Sequence, residues 1–171
     1  MSQEEVTALT TELKKLPQGY LPEPIFNQVA RIAALTAIEF IPLRKNNDTV
    51  EVLLFRRASD DPFWPSLLHT PGTIVRASDV SFDDAYNRLF TDELNSISLP
   101  VEFFGNEMML NNRGRAVVFK YIVDVTDIQT SGDFYAINSL PEDLLAEHRV
   151  MIKEAVDLFN KRPHHQKVLT V

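Results

Sequence analysis

The stretch from Trp64 to Asn95, WPSLLHTPGTIVRASDVSFDDAYNRLFTDELN, decides how this 171-residue chain is read. Leu67-Leu68 leads into Pro71-Gly72, a pair that predicts a turn at the end of a strand. A polar loop follows. Ser81, with Asp84 three residues on, then predicts the capped start of a helix over Ser81–Asn95. Phe82, Ala85, Leu89, Phe90 and Leu94 fall on its inward face. Arg88 and Asp92 stand four apart and share a face, with Glu93 one position further round. Both carboxylates therefore lie beside the strand-end loop. Two oxygen donors there suit Mg²⁺ or Mn²⁺, hard cations that keep waters for a phosphate to replace. The same residues also read as a solvated helix face with one Arg–Asp pair.

Working outward, Leu35–Lys45 and Thr49–Arg57 read as two strands around an Asn46-Asn47-Asp48 turn. The unbroken Leu53–Phe55 run predicts a strand buried on both faces. Further strands are expected at Val101–Leu110 and Arg115–Val125, joined by Asn111-Asn112-Arg113-Gly114. LPEDLLAEHRVMIKEAVDLFNKR, from Leu140, reads as a short helix and then a long one, stopped by Pro163. At the other end, Ser2 and Glu5 form a possible capping box for a helix over Ser2–Leu16. Val6, Leu9, Leu13 and Leu16 recur along it at helical spacing. Pro17, Gly19, Pro22 and Pro24 interrupt the chain before a short helix at Ile25–Ile32. Helices separated by runs of strands predict an α/β fold with a mixed sheet between helices. The division expected is an N-terminal helical extension (1–32), one domain (33–163) and a tail (164–171).

Composition excludes several classes. Twenty-four acidic residues against 17 basic ones give a formal charge of -7. Broad binding to nucleic acid or anionic lipid is not expected from such a chain. The lack of cysteine excludes disulfides, thiolate zinc and a cysteine nucleophile. The polar start predicts no secretory signal, and no apolar run is long enough to span a bilayer. The cytoplasm is the expected location.

The Trp64–Asn95 stretch resembles a Nudix box, G-x5-E-x7-R-E-U-x-E-E-x-G-U, where U is bulky and apolar. LLFRR at a strand end, Trp64 before the Pro-Gly pair and INSLPEDLL before the last helix are similar to that family too. The resemblance covers about Leu35–Arg162 and implies a Nudix α/β/α sandwich with a mixed β-sheet. The box is degenerate. Pro71-Gly72-Thr73 stands for Pro-Gly-Gly, and Ser78 or Asp79 for the first Glu. Leu89 replaces the Glu after Arg88, Asp92-Glu93 matches the acidic pair, and Asn95 replaces the final Gly. R-L-F-T-D-E-L is similar to the R-L-x-x-x-E-L variant of GDP-mannose mannosyl hydrolases, which cleave at the sugar carbon. That branch takes its base from a later loop, where Asp127 or Asp133 stands here.

What the resemblance implies is a metal-dependent hydrolase of a nucleoside diphosphate linked to another group, with weakened or altered catalysis. The competing class is a non-catalytic nucleotide or nucleotide-sugar binding module. A third carboxylate beside Asp92 and Glu93, from Glu102, Glu107 or Asp133, would favour catalysis. In the hydrolase reading Arg88 and Glu93 are catalytic, and Asp92 and Glu93 hold Mg²⁺ or Mn²⁺. Arg56, Arg57 and Gly72 bind substrate, with alternation placing only one arginine on each face. Arg88 also reads as a brace to Asp79, Asp84 or Asp92, and Leu89 as a packing residue. His69 reads as an acid–base group or a bonded sheet residue, His148 as a surface residue, and His164-His165 as tail. Phe63 and Trp64 read as a loop plug or as base-stacking rings. The partner expected is a small nucleotide-type molecule, and Val6, Leu9 and Leu13 offer a face for a homodimer.

Overall fold

The computed structural model describes residues 1–19, 21–96, 99–125, 128 and 130–161. Asp127, Pro163 and His164-His165 lie outside the described residues. Strands β1 (Leu35–Asn46) and β2 (Thr49–Arg56) form an antiparallel hairpin, paired from Leu43↔Val52 to Asn46↔Thr49. Asn47 takes φ 53° at the turn, a conformation that Asn tolerates better than most residues. Beyond this paired end, the later chain pairs with each strand separately. Strand β3 (Leu68–His69) pairs with β2, and β4 (Gly72–Ile74) pairs antiparallel with β1. Pro71-Gly72 is thus no turn. The chain passes from one strand partner to the other, and the Pro71 carbonyl accepts from Phe40 N–H.

Strand β6 (Gly114–Asp124) runs parallel to β1, and β5 (Val101–Asn111) pairs antiparallel with β6 at the sheet edge. Strand β7 (Asp133–Ala136) joins β2. The result is a seven-stranded mixed sheet.

Alternation along the strands feeds two cores. Ile38, Phe40, Leu53 and Val123 pack with Ala85, Leu89 and Phe90 of helix α3 (Phe82–Asp92). Ala37, Ile41, Leu43, Val52 and Leu54 pack on the other side with Met151, Ile152 and Ala155 of helix α4 (Ala146–Phe159). Leu53 and Leu54, both buried, face opposite cores, as their unbroken apolar run predicts. This is the α/β/α sandwich.

Helix α3 begins as expected, with a Ser81–Asp84 capping box. It stops at Asp92, earlier than the spacing predicts, because Asn95 turns to φ 47° and the Ser96 N–H bonds back to Phe90 O. The segment before α4 also differs from expectation. A 3₁₀ turn at Ile137–Ser139 is followed by extended Leu140 and a bridge between Leu144 and Leu68. Pairing with the sheet prevails over helix propensity there.

The N-terminal extension is two helices. Helix α1 (Gln3–Leu13) keeps the Ser2–Glu5 capping box and has no buried residue. Helix α2 (Glu23–Ile32) buries Ala30. The Ala30 carbonyl sits so close to Gly114, which has φ +146°, that a Cβ there would overlap it. The β5–β6 turn and the end of α2 are therefore fitted to one another.

Candidate functional site

A glutamate inside an apolar strand organises the centre of the molecule. Glu39 lies on the β1 face that otherwise carries Ala37, Ile41 and Leu43, and its side chain is only 17% exposed. Gly72 is its register partner on β4. A Cβ at Gly72 would overlap the Glu39 carboxyl, so glycine leaves room for the acid. Thr70 Oγ1 lies 3.3 Å from Glu39 Oε2 and 2.6 Å from His148 Nδ1. The Thr70 N–H donates to the same His148 nitrogen at 3.2 Å. His148 Nδ1 is therefore an acceptor, and its proton sits on Nε2. His148 is buried rather than on the surface, because α4 packs this side against β3 and the residues after it. Burial, then the neighbouring His69 and Arg57, pushes its pKa down to about 3. His69 donates from Nδ1 to the Thr70 carbonyl at 2.7 Å, and burial with the Arg57 charge lowers its pKa to about 4.

Burial also holds the Glu39 carboxyl well above the usual range, and the charge of Glu93 adds to this. Glu93 caps the C-terminus of α3, and one of its carboxylate oxygens is buried without a hydrogen-bond partner. Burial pushes its pKa up to about 7, against the pull of Arg57 and with a further push from Asp92. A negative charge on Glu93 thus acts in the same direction as burial, toward the protonated form of Glu39.

The other box positions diverge. Leu89 is 1% exposed and belongs to the α3 core. Asp92 is exposed. Arg88 binds both oxygens of Asp79 and, at 3.2 Å, the Ile74 carbonyl, bracing the loop before α3. Besides its neighbour Asp92, Glu93 interacts electrostatically with Glu39, whose pKa its charge raises. Of the three acids considered from sequence, Glu107 pairs with Lys120 at 3.4 Å, Glu102 stands on β5 opposite Ile122, and Asp133 opens β7. Among the described residues no three acidic or imidazole side chains gather as a metal cage. The donor set here does not fit the three-carboxylate arrangement that the box resemblance implies.

Arginines supply the opposite charge. Arg56 turns away from the cavities to Asp143, at 2.7 Å, and the Ser66 carbonyl. Arg57 turns inward. It pairs with Asp61 at 3.1 Å and lies 5.0 Å from the centre of the buried Trp64 ring. Arg113, in the β5–β6 turn, lies against Trp64, Phe63 and Phe26 at 5.0, 5.2 and 5.5 Å. Phe63 and Trp64 plug the loop, as expected, and also hold cations.

Two cavities meet at these arginines. The inner one, about 70 Å³, is lined by Glu39, Arg57, Trp64, Arg113, Glu147 and His148. The outer cleft is about 590 Å³, a size that suits a small organic ligand. Its walls include Leu16, Phe26 and Val29 of the N-terminal extension, with Arg57, Gly72, Arg76 and Arg113. Sequence reasoning missed Glu39, Thr70 and Arg113. Glu39 had a signal, as a lone charge in the apolar run TAIEFIPL; Arg113 looked like an ordinary turn residue.

The layered architecture is that of Nudix domains. Over 93% of this chain and 99% of the other, it superposes on the Nudix domain of Shewanella oneidensis NrtR complexed with ADP-ribose, with TM-score 0.61 and 19% identity. An Ap4A hydrolase from C. elegans matches 74% of this chain and 99% of its own at TM-score 0.59 and 14% identity. Shewanella oneidensis NrtR complexed with a 27mer DNA matches at TM-score 0.58 and 17% identity, and this chain spans 62% of that one. No family model and no curated protein matches the sequence. The chain has the Nudix fold, a fold found in hydrolases and in a domain complexed with a nucleotide.

Proposed function

We propose that this chain binds a nucleotide-type small molecule in the outer cleft and does not hydrolyse it as an ordinary Nudix pyrophosphatase would. The observation that carries the reading is the cleft itself, large enough for a nucleotide and lined by three guanidinium groups beside an apolar wall. Burial of Leu89 in the α3 core supports binding over hydrolysis, because the position implied for a metal-binding Glu is spent on packing. The ADP-ribose held by the NrtR Nudix domain supports a ligand of the same chemical kind here. The lack of cysteine suits a reducing, cytoplasmic setting.

Titration calorimetry with ADP-ribose and with ADP, in EDTA and then in Mg²⁺ or Mn²⁺, tests this. Product analysis of the same mixtures completes it. Binding without added metal and recovery of intact ligand are expected. No binding of either nucleotide would overturn the proposal.

A second reading, a metal-dependent hydrolase with altered catalysis, is favoured by the buried carboxyls of Glu39 and Glu93. In it Glu93 and Asp92 would bind Mg²⁺ or Mn²⁺, and Arg88 would hold the loop beside them. Metal-dependent release of phosphate or free sugar, lost in Glu93→Gln, would establish that reading instead.

A further inference from the structure

We infer that two copies of this chain join through the outer edge of β5, forming a two-fold dimer whose sheet runs from one copy into the other. Strand β5 ends the sheet, and among the described residues no strand pairs with its outer side. It is 11 residues long and carries neither lysine nor proline, the residues that commonly blunt an exposed edge. A bulge between Phe103 and Gly105 interrupts its start, and from Asn106 to Asn111 its register on β6 is regular. Such a stretch turns N–H and C=O groups outward at every second residue.

The bulge also sets which side chains share a face. Phe103, Asn106 and Met108 pair with Tyr121, Phe119 and Val117, every second residue of β6. They therefore rise with Leu110 on the α3 side of the sheet. Helix α3 covers the inner strands of this face and leaves the edge open. Phe103 is 50% exposed, Met108 63% and Leu110 66%, and Phe82 of α3 is 40% exposed. The Phe119 ring joins them, 5.2 Å from Phe82 and 6.3 Å from Phe103. At about 200 Å² for a large side chain in full, the four present on the order of 400 Å², a patch of the size that marks an interaction site. Two such patches with the paired backbone exceed the ~1,000 Å² of a specific interface.

The edge is complementary to itself. At a formal charge of -7 two copies repel, yet the α3-side residues of β5 from Phe103 to Leu110 carry no charge. Glu107 lies on the other face, paired with Lys120 at 3.4 Å. Antiparallel pairing about a dyad at Met108 sets Met108 against the partner's Met108, and Leu110 against the partner's Asn106. It sets Glu107 against the partner's Met109. A dyad one residue earlier would oppose Glu107 with the partner's Glu107, a like-charge pair. The dyad keeps the same face up in both copies, so the two patches merge. Val6, Leu9 and Leu13 of α1 are also exposed, but they share their helix with Glu4, Glu5 and Glu12 and bring no open strand edge.

Sedimentation velocity of wild type, Met108→Lys, Leu110→Lys and Leu9→Lys tests this. Wild type should be a dimer at about 100 μM and dissociate on dilution, as an interface near the lower size limit does. Met108→Lys and Leu110→Lys should each weaken dimerisation about tenfold or more, because they put like charges on the shared face. Leu9→Lys should leave it unchanged. All three positions are exposed, and unchanged thermal melts establish that the variants are folded. The chain has no cysteine, so Met108→Cys adds a single thiol. A short bis-maleimide should link it to the same thiol of the partner, whereas Leu9→Cys should stay unlinked. If a lysine variant melts early, the cross-linking decides. A wild type that stays monomeric at about 100 μM would overturn the dimer. So would a dimer that survives both β5 substitutions, and its loss in Leu9→Lys alone would move the contact to α1.

Discussion

The acidic side of the cleft and its basic side are built in opposite ways. On α3, Leu89, Asp92 and Glu93 sit within two turns of one helix, and each meets a different medium. Leu89 enters the core, Asp92 reaches solvent, and Glu93 is half-buried with one buried, unpartnered carboxylate oxygen. The basic side draws Arg57, Trp64 and Arg113 from three separate segments, and they converge. Helical proximity thus dispersed the acids' environments, while tertiary packing concentrated the arginines. The helix fixes only where a side chain starts, and the layer packed against it decides what that side chain can do.

The largest effect should come from placing a third acid on α3. Leu89→Glu puts a carboxyl into an apolar core and should cost about 3–5 kcal/mol of stability at pH 7. Urea unfolding measures this, and the loss should shrink at pH 4, where the carboxyl is neutral. A loss under about 1 kcal/mol would mean that α3 can turn this position toward the cleft.

Next is the basic side. Gly114→Ala should cost about 2–3 kcal/mol, through the positive φ and overlap with the Ala30 carbonyl. Thermal melts would show it. Because Arg113 is the preceding residue, ADP affinity should fall as well. A neutral result would mean that α2 is not fitted to this turn.

Glu93→Gln should have the opposite sign. The folded Glu93 carboxyl ionises near pH 7 and the unfolded one near 4.5. Wild type therefore loses stability as pH rises from 4.5 through about 7, while the amide does not. The variant should be more stable by about 1–3 kcal/mol at pH 8 and equal to wild type at pH 4. Unfolding curves at the two pH values decide it. Smallest of all, Asp92→Asn should stay within about 0.5 kcal/mol at either pH, as suits an exposed side chain. A large Asp92 effect would erase the contrast between these adjacent acids.

The sandwich was legible because its signals are local. Alternation in β1, the apolar run of β2 and the Ser81 cap each specify their own element. The packing of Leu89 was legible for the same reason, since helical spacing puts it on the inward face of α3. The Pro71-Gly72 turn was misread because its conformation depends on Phe40 and Glu39, on a strand read independently of it. His148 was misassigned because its partner, Thr70, is distant in the chain. Arg113 carried no signal that separates a turn residue facing water from one stacked on three rings. Local periodicity cannot report groups brought together by the sheet's crossovers.

The parallel pairing of β1 with β6 has a kinetic consequence. Leu35 to Leu43 must find Ala116 to Asp124, with most of the domain between them. The β1–β2 and β5–β6 hairpins close short loops and can form early, each within microseconds. Joining them closes a long loop and carries the main entropic cost of the topology. Until then the long edge of β1 is open, with Ile38, Phe40 and Ile41 uncovered. During synthesis that edge waits for the chain through Asp124 to leave the ribosome. Delay at this step exposes an apolar strand edge to other chains, so aggregation during folding should track the rate of the β1–β6 union more closely than the stability of either hairpin.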